Sequence, residues 1–172
     1  FGYDPKKEVY WLTKAAEAGD ADAMCTLALN YKIGEGVEKD LEECRKWYTR
    51  AADLGYSKAY LGMAELYKMP QYYDQGKAIY YFKKAAEKND VDTVASAAQA
   101  LGMMYGGCYV FGGEPYSGAD PDEALYWLCQ AYIVGDNPYC KEYIQKLCNA
   151  TGLTIPNEQW NRWLVEARSR VI

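Results

Sequence analysis

Four aspartates recur at one offset. Asp4, Asp40, Asp74 and Asp120 each stand seven residues ahead of an aromatic residue: Trp11, Trp47, Tyr81 and Trp127. Paired carboxylates are the usual equipment of general acid–base catalysis. These, however, are separated by about a repeat, and a simpler chemistry accounts for them. Aspartate is a preferred helix N-cap because its carboxylate accepts the free amides of the first turn and complements the helix dipole. Pro5 and Pro121 follow two of the four at the first helical position, where a missing N–H costs nothing. Glu43 and Glu123, three residues after their caps, resemble capping boxes.

The other chemistry-bearing residues point the same way. Six cysteines are present (Cys25, Cys44, Cys108, Cys129, Cys140 and Cys148), none in a CxxC pair, so neither zinc nor thioredoxin-like chemistry is signalled. They read either as disulfides or as small buried hydrophobes between helices. Disulfide bonding would place the protein in the periplasm or outside the cell; free thiols would place it in the cytoplasm. The chain has no histidine, so it can hold no Ser-His-Asp or Cys-His site and lacks the commonest zinc ligand. No serine has lysine three residues later, and the Gly106-Gly107 and Gly112-Gly113 pairs lack the phosphate-loop pattern. No metal or cofactor is expected.

The elements that must position these residues follow from the repeat. Counting from each aromatic, Ala15, Ala51, Ala85 and Ala131 lie four later, and Gly19, Gly55, Asn89 and Gly135 eight later. Glycine, or asparagine as the next choice, ends a helix in the left-handed conformation. Each unit therefore contains a capped and terminated helix of about fifteen residues. A partner helix precedes it, with columns Ala23, Leu27, Ala28 and Tyr31, then Ala59, Met63, Ala64 and Tyr67, then Ala97, Leu101, Gly102 and Tyr105. Their spacing puts them on one helical face.

After Gly135 the pattern weakens. Tyr139, Tyr143, Ile144 and Leu147 continue the first-helix columns, and Trp163 and Ala167 the second, with Pro156 at the cap column. A C-terminal helix carrying Trp160, Trp163, Leu164 and Val171 fits a closing cap. The pattern predicts nine helices in one all-α domain. Residues 1–19 form a half repeat, 20–55 the first repeat, 56–89 the second, 90–135 the third with an expanded loop over 106–119, and 136–172 a divergent fourth. The step from Ala85 to Ala131 is 46 residues, against 36 from Ala15 to Ala51 and 34 from Ala51 to Ala85. The long unit gains four residues ahead of Ala97, about one helical turn, and six more between Tyr105 and Asp120.

The first unit reads Ala23-x3-Leu27-Ala28-x2-Tyr31-x2-Gly34-x-Gly36-Val37-x2-Asp40-x6-Trp47-x3-Ala51-Ala52-x2-Gly55. It resembles the Sel1-like repeat, a relative of the tetratricopeptide repeat, over essentially the whole chain. Cys44 replaces the alanine favoured before the aromatic, and the second unit lacks Gly-x-Gly. The resemblance implies a right-handed α/α superhelix that binds proteins or peptides, as an adaptor or as a stoichiometric inhibitor. Immunity proteins against secreted toxins and envelope or secretion components are among the roles it brings.

Composition agrees with a binding role. Net charge is −5 with both signs interspersed, which argues against nucleic acid as a partner. No apolar run reaches the ~18 residues of a membrane span. The chain opens on a helix start without signal-peptide character, as a mature form or part of a longer array would. Two surfaces stand out. Positions between the packing columns would line a concave groove: Cys25, Leu29 and Lys32, then Leu61, Glu65 and Lys68, then Gln99 and Met103, then Lys141 and Gln145. The expanded loop carries Tyr109, Val110, Phe111 and Tyr116 among glycines, either as interface anchors or folded back over the array. Tyr72 and Tyr73 in the neighbouring inter-helix loop would extend that patch. The competing functions are a hydrolase or binder of cell-wall-derived ligands, and a structural spacer in a longer array.

Overall fold

The computed structural model describes Gly2 and residues 4–88, 90–107, 110–111, 114–115, 118–135, 138–152 and 154–169; for 110, 111, 114, 115, 164 and 166–169 it defines the backbone alone. Nine α-helices occur among the described residues: α1 (Pro5–Glu17), α2 (Ala21–Ile33), α3 (Leu41–Asp53), α4 (Ser57–Tyr67), α5 (Gln75–Ala86), α6 (Val91–Tyr105), α7 (Pro121–Gly135), α8 (Pro138–Thr151) and α9 (Asn157–Ser169). A 3-10 turn over Pro70–Tyr72 joins α4 to α5. The expanded loop is not wholly irregular: β1 (Val110–Phe111) pairs antiparallel with β2 (Glu114–Pro115), Val110 opposite Pro115 and Phe111 opposite Glu114.

The aspartate column caps the helices as its spacing predicts. Asp40 Oδ1 accepts the amides of Glu42 and Glu43 at 2.9 and 3.1 Å, and Asp120 Oδ1 those of Asp122 and Glu123 at 3.0 and 3.2 Å. Asp4 accepts from Lys6 and Lys7, and Asp74 from Lys77. Asp20 does the same for α2, a cap outside the recurring column. The capping boxes do not form. The cap residues' own amides are already taken, Asp40 N–H donating to the Tyr31 carbonyl and Asp120 N–H to that of Tyr105, both at 2.9 Å. Glu43 and Glu123 turn elsewhere: Glu43 pairs with Lys46, and Glu123 Oε2 accepts from the indole N–H of Trp127 at 3.0 Å.

Gly19 and Gly55 take left-handed conformations after their helices, with φ of 100° and 77°. Gly135 does not. It stays within α7, where an added Cβ would stand 2.6 Å from that of Ala95, so close approach to α6 and not handedness requires it. Asn89 lies outside the described residues.

The chain forms two compact units, Phe1–Leu66 and Tyr67–Ile172. In the first, α1 packs on α2 and α2 on α3 over a core that includes Met24, Leu27, Ala28, Trp47, Tyr48 and Ala51. The aromatic column is not uniformly buried. Trp47 and Trp127 are 9% and 7% exposed, but Trp11 is 68% exposed beside Tyr10, itself 55% exposed. Trp47 and Trp127 sit in hairpins where α2 packs on α3 and α6 on α7.

In the second unit, α6 and α7 form the largest interface. Gly102 makes it possible: a Cβ there would lie 2.6 Å from Leu128 Cγ and 2.9 Å from its backbone nitrogen. Helix α6 begins six residues ahead of Ala97, whereas α2 begins two ahead of Ala23, so the four added residues are a helical turn. Thr93 in that turn donates its hydroxyl to the Asp90 carboxylate. At the other end Trp163 of α9 packs with Leu125 and Cys129 of α7, flanked by Trp160, Ile144 and Leu147. Gln130, fully buried, donates to the Trp163 carbonyl at 3.5 Å. Val171 and the Leu164 side chain lie outside the description.

Candidate partner-binding site

The first unit contains a cleft of about 350 Å³ between α2 and α4, with α3 beneath it. Helix α2 contributes Asp22, Cys25, Thr26, Leu29 and Lys32, and α4 contributes Lys58, Leu61, Gly62 and Glu65. Offsets of three, four and seven residues put each set on one face of its helix. Among the groove positions named from sequence, the structure brings together Cys25, Leu29, Lys32, Leu61 and Glu65.

Tyr48 of α3 forms the floor, and Gly62 lets it do so. A Cβ at Gly62 would lie 2.3 Å from the Tyr48 ring, so the aromatic face rests directly on the α4 backbone. Tyr48 is 7% exposed. Burial raises the pKa of its phenol, and the neighbouring Cys44, Cys25 and Glu65 add to the effect. It is therefore a neutral hydroxyl at physiological pH.

The walls are divided by charge. At one end Lys58 Nζ lies 3.7 Å from Asp22 Oδ1, which also accepts the Tyr56 hydroxyl. In the middle Leu29 is 44% exposed and faces half-buried Leu61. The Cys25 thiol beside them is pushed up to about 12, chiefly by burial and secondarily by Asp22, so it is protonated and behaves as an apolar surface. At the other end stand Lys32 and Glu65.

The remaining groove positions do not join this cleft. Lys68 lies in the second unit, its ammonium 5.7 Å from the Phe82 ring centre. Gln99 is half-buried on α6. Met103 lines an apolar cleft of about 220 Å³ with Leu128, Tyr143 and Leu147, while Gln145 lines a different cavity beside Cys148 and bonds Asn149 at 3.1 Å. Lys141 is exposed on α8. Of the loop residues, Tyr109, Tyr116 and the side chains of Val110 and Phe111 lie outside the description. Tyr72 is half-buried, and Tyr73 is exposed with its hydroxyl accepting from the Gln75 amide. Tyr48 and Gly62 are what the sequence pattern did not single out. Their signal is a residue next to the Trp47 column and a glycine within a helix that does not end there.

The described cysteines Cys25, Cys44, Cys129, Cys140 and Cys148 are unpaired, and Cys108 lies outside the description. Burial pushes the Cys44 and Cys129 thiols up to about 11 and about 12. Among the described residues no cluster of His, Cys, Asp and Glu could hold a metal ion, and no helix is long and apolar enough to cross a membrane.

These capped hairpins match the Sel1 repeat over residues 4–20, 21–56, 57–90 and 95–136, well over half the chain. The chain belongs to the Sel1 repeat family. The Sel1-repeat-containing protein YjcO of Escherichia coli K12 is 26% identical over 85% of this chain and 78% of its own length. A Sel1 repeat protein crystal structure from Oxalobacter formigenes superposes with a TM-score of 0.69 at 26% identity, covering 98% of this chain and 47% of that one. The structure of c5321, a protective antigen of uropathogenic E. coli with an SLR fold, gives 0.70 at 25% identity, covering 94% and 33%. The chain thus spans about half of the first of these structures and a third of the second. Sel1 repeat proteins are all-helical solenoids that typically serve as non-catalytic protein-interaction scaffolds.

Proposed function

We infer that this Sel1 repeat chain is a non-catalytic protein-binding unit, acting as an adaptor or as a stoichiometric inhibitor of a protein partner. A secreted toxin or an envelope or secretion component is the kind of partner meant. The observation that carries this is Leu29, left 44% exposed inside a helix-lined cleft while the neighbouring packing columns Leu27 and Ala28 are fully buried. Capping and packing use up the recurring residues. The positions between them present an apolar strip flanked by charge, the make-up of a specific protein surface.

Affinity capture from the native organism on the immobilised chain tests this. The expected result is one stoichiometric protein partner that is retained in moderate salt and lost with Leu29→Arg. Measurable turnover in a broad fluorogenic hydrolase screen, with no partner recovered, would replace this function with a catalytic one.

A further inference from the structure

The four helices capped by the aspartate column differ in how their first-turn charge is balanced. In α1 the cap Asp4 pairs with Lys7 at 3.8 Å, and in α5 Asp74 pairs with Lys77 at 3.2 Å. In α3 the residues after the cap form the pairs: Glu42 with Arg45 at 2.8 Å, and Glu43 with Lys46. Helix α7 repeats those two acids as Asp122 and Glu123, at the same offsets from its tryptophan. Where α3 has Arg45 and Lys46, however, α7 has Leu125 and Tyr126. Its first turn therefore forms no ion pair among the described residues.

These carboxylates open on a cleft of about 420 Å³ between the starts of α7 and α9. The start of α7 contributes Asp120, Asp122, Glu123 and Tyr126, and α9 contributes Gln159 and Trp163; no lysine or arginine lines it. Two second helices form this cleft, whereas two first helices form the one between α2 and α4. Tyr126 and Trp163 meet edge to face, their ring centres 5.9 Å apart. Asp120 Oδ1 is taken by the amides it caps, and Glu123 Oε2 by the Trp127 indole. Asp120 Oδ2, Glu123 Oε1 and both oxygens of Asp122 accept from no group among the described residues.

Unbalanced negative charge beside two aromatic rings selects a cation, and the rings make it an organic one. No cluster among the described residues could hold a metal ion. An ammonium is compact and strongly hydrated. A guanidinium is planar and weakly hydrated, donates to carboxylates through a rigid fork, and lies flat against an aromatic face.

We propose that the cleft between α7 and α9 seats an arginine side chain of a partner protein. Its guanidinium donates to the Asp122 carboxylate and to Glu123 Oε1, with its plane against the Tyr126 ring. The partner thus supplies from outside the cation that α3 supplies from within. This rests on the protein-binding function proposed above and names a side chain that the partner must present. Charge complementarity gives the contact its specificity, and the exposure of Asp122 makes it sensitive to salt.

The test uses the full chain, labelled with 15N and titrated with Ac-Gly-Arg-Gly-NH2 and its lysine and citrulline analogues. Citrulline keeps the shape of arginine and removes its charge. Shifts should concentrate on the first turns of α7 and α9 and on the Trp163 indole N–H, with the arginine peptide binding most tightly. Asp122→Asn and Glu123→Gln should each weaken that peptide roughly fivefold or more, the loss expected for a hydrogen bond to a charged group. Each should leave the citrulline peptide within about twofold. Asp122 is exposed, and Glu123→Gln keeps an acceptor for the Trp127 indole, so both variants leave the packing in place. A citrulline or lysine peptide binding as tightly as the arginine peptide, or shifts lying away from this cleft, would overturn the proposal.

The captured partner separates this from the broader function. If Asp122→Asn/Glu123→Gln binds that partner as wild type does, the arginine site is wrong and protein binding stands. If the arginine peptide binds in the cleft and no partner is captured, the site stands and the broader function fails. If neither a partner nor any peptide binds, both fail.

Discussion

The amide of Asp120 donates to the carbonyl of Tyr105 at 2.9 Å, and this one hydrogen bond closes the fifteen-residue step between them. The same pair of columns closes the nine-residue step at Tyr31–Asp40 and the seven-residue step at Tyr67–Asp74, at 2.9 and 3.1 Å. Loop length is therefore free to vary while the helix it leads into stays fixed. The residue that caps the helix with its side chain pins the loop with its backbone.

That arrangement predicts tolerance to shortening. Replacing the segment between Tyr105 and Asp120 by the one between Tyr31 and Asp40 should leave cooperative unfolding intact. Loop-closure entropy changes by only about half a kcal/mol for this difference in length. Urea midpoints measure it, and a broad or multistep transition would show that the expanded loop holds the hairpin together.

Burial within the aromatic column predicts unequal costs for one substitution. Trp127→Ala, at a 7% exposed site, should lose roughly 3–5 kcal/mol. Trp11→Ala, at a 68% exposed site, should lose well under that, on the order of 1 kcal/mol or less. Chemical denaturation of the two variants compares them directly, and equal losses would place Trp11 in a packed environment.

The glycine contacts rank two further variants. At Gly62 an added methyl meets side-chain atoms alone, the ring carbons of Tyr48. At Gly102 it meets Leu128 at Cγ and also at the backbone nitrogen, which can move only with α7. Gly102→Ala should therefore cost about 1–3 kcal/mol despite its better helix propensity, and Gly62→Ala less. Thermal unfolding of both should reverse in rank only if α6 and α7 separate easily.

Acid should remove one cap's contribution. The Lys77 amide, with the Lys77 side chain assisting, holds the Asp74 carboxyl below its ordinary pKa. A carboxyl depressed on folding contributes stability above the unfolded carboxylate range near pH 4, and that contribution disappears as pH falls through the lower folded value. The Tm advantage of wild type over Asp74→Asn should thus shrink from about pH 6 to about pH 2. An advantage that stays constant would mean the carboxylate charge adds nothing to the cap.

Thiol labelling follows from burial. In the folded, reduced protein at pH 8, iodoacetamide should leave Cys44 and Cys129 unmodified, since both are fully buried and held protonated. Urea should expose them. Rapid labelling of Cys129 in native buffer would show that α7 and α8 open readily.

The local features of this protein were legible in its residues. Asp before Pro or Glu, glycine after the last alanine and an added four residues ahead of Ala97 specify helix starts, stops and lengths, because capping and backbone handedness act within a turn. What lies across the fold was not legible in that way. Glu43 and Glu123 fit a capping box by spacing, yet Tyr31 and Tyr105 had already taken the amides they would have accepted. Trp11 and Trp47 occupy the same column, but only the packing around each decides which one is buried. The cleft depends on Gly62 letting a ring from α3 reach the α4 backbone, and on Asp22 meeting Lys58 thirty-six residues away. Periodicity determined the helices; the tertiary structure decided which side chains the helices leave without partners, because a side chain's partners come from neighbouring helices that local spacing does not place.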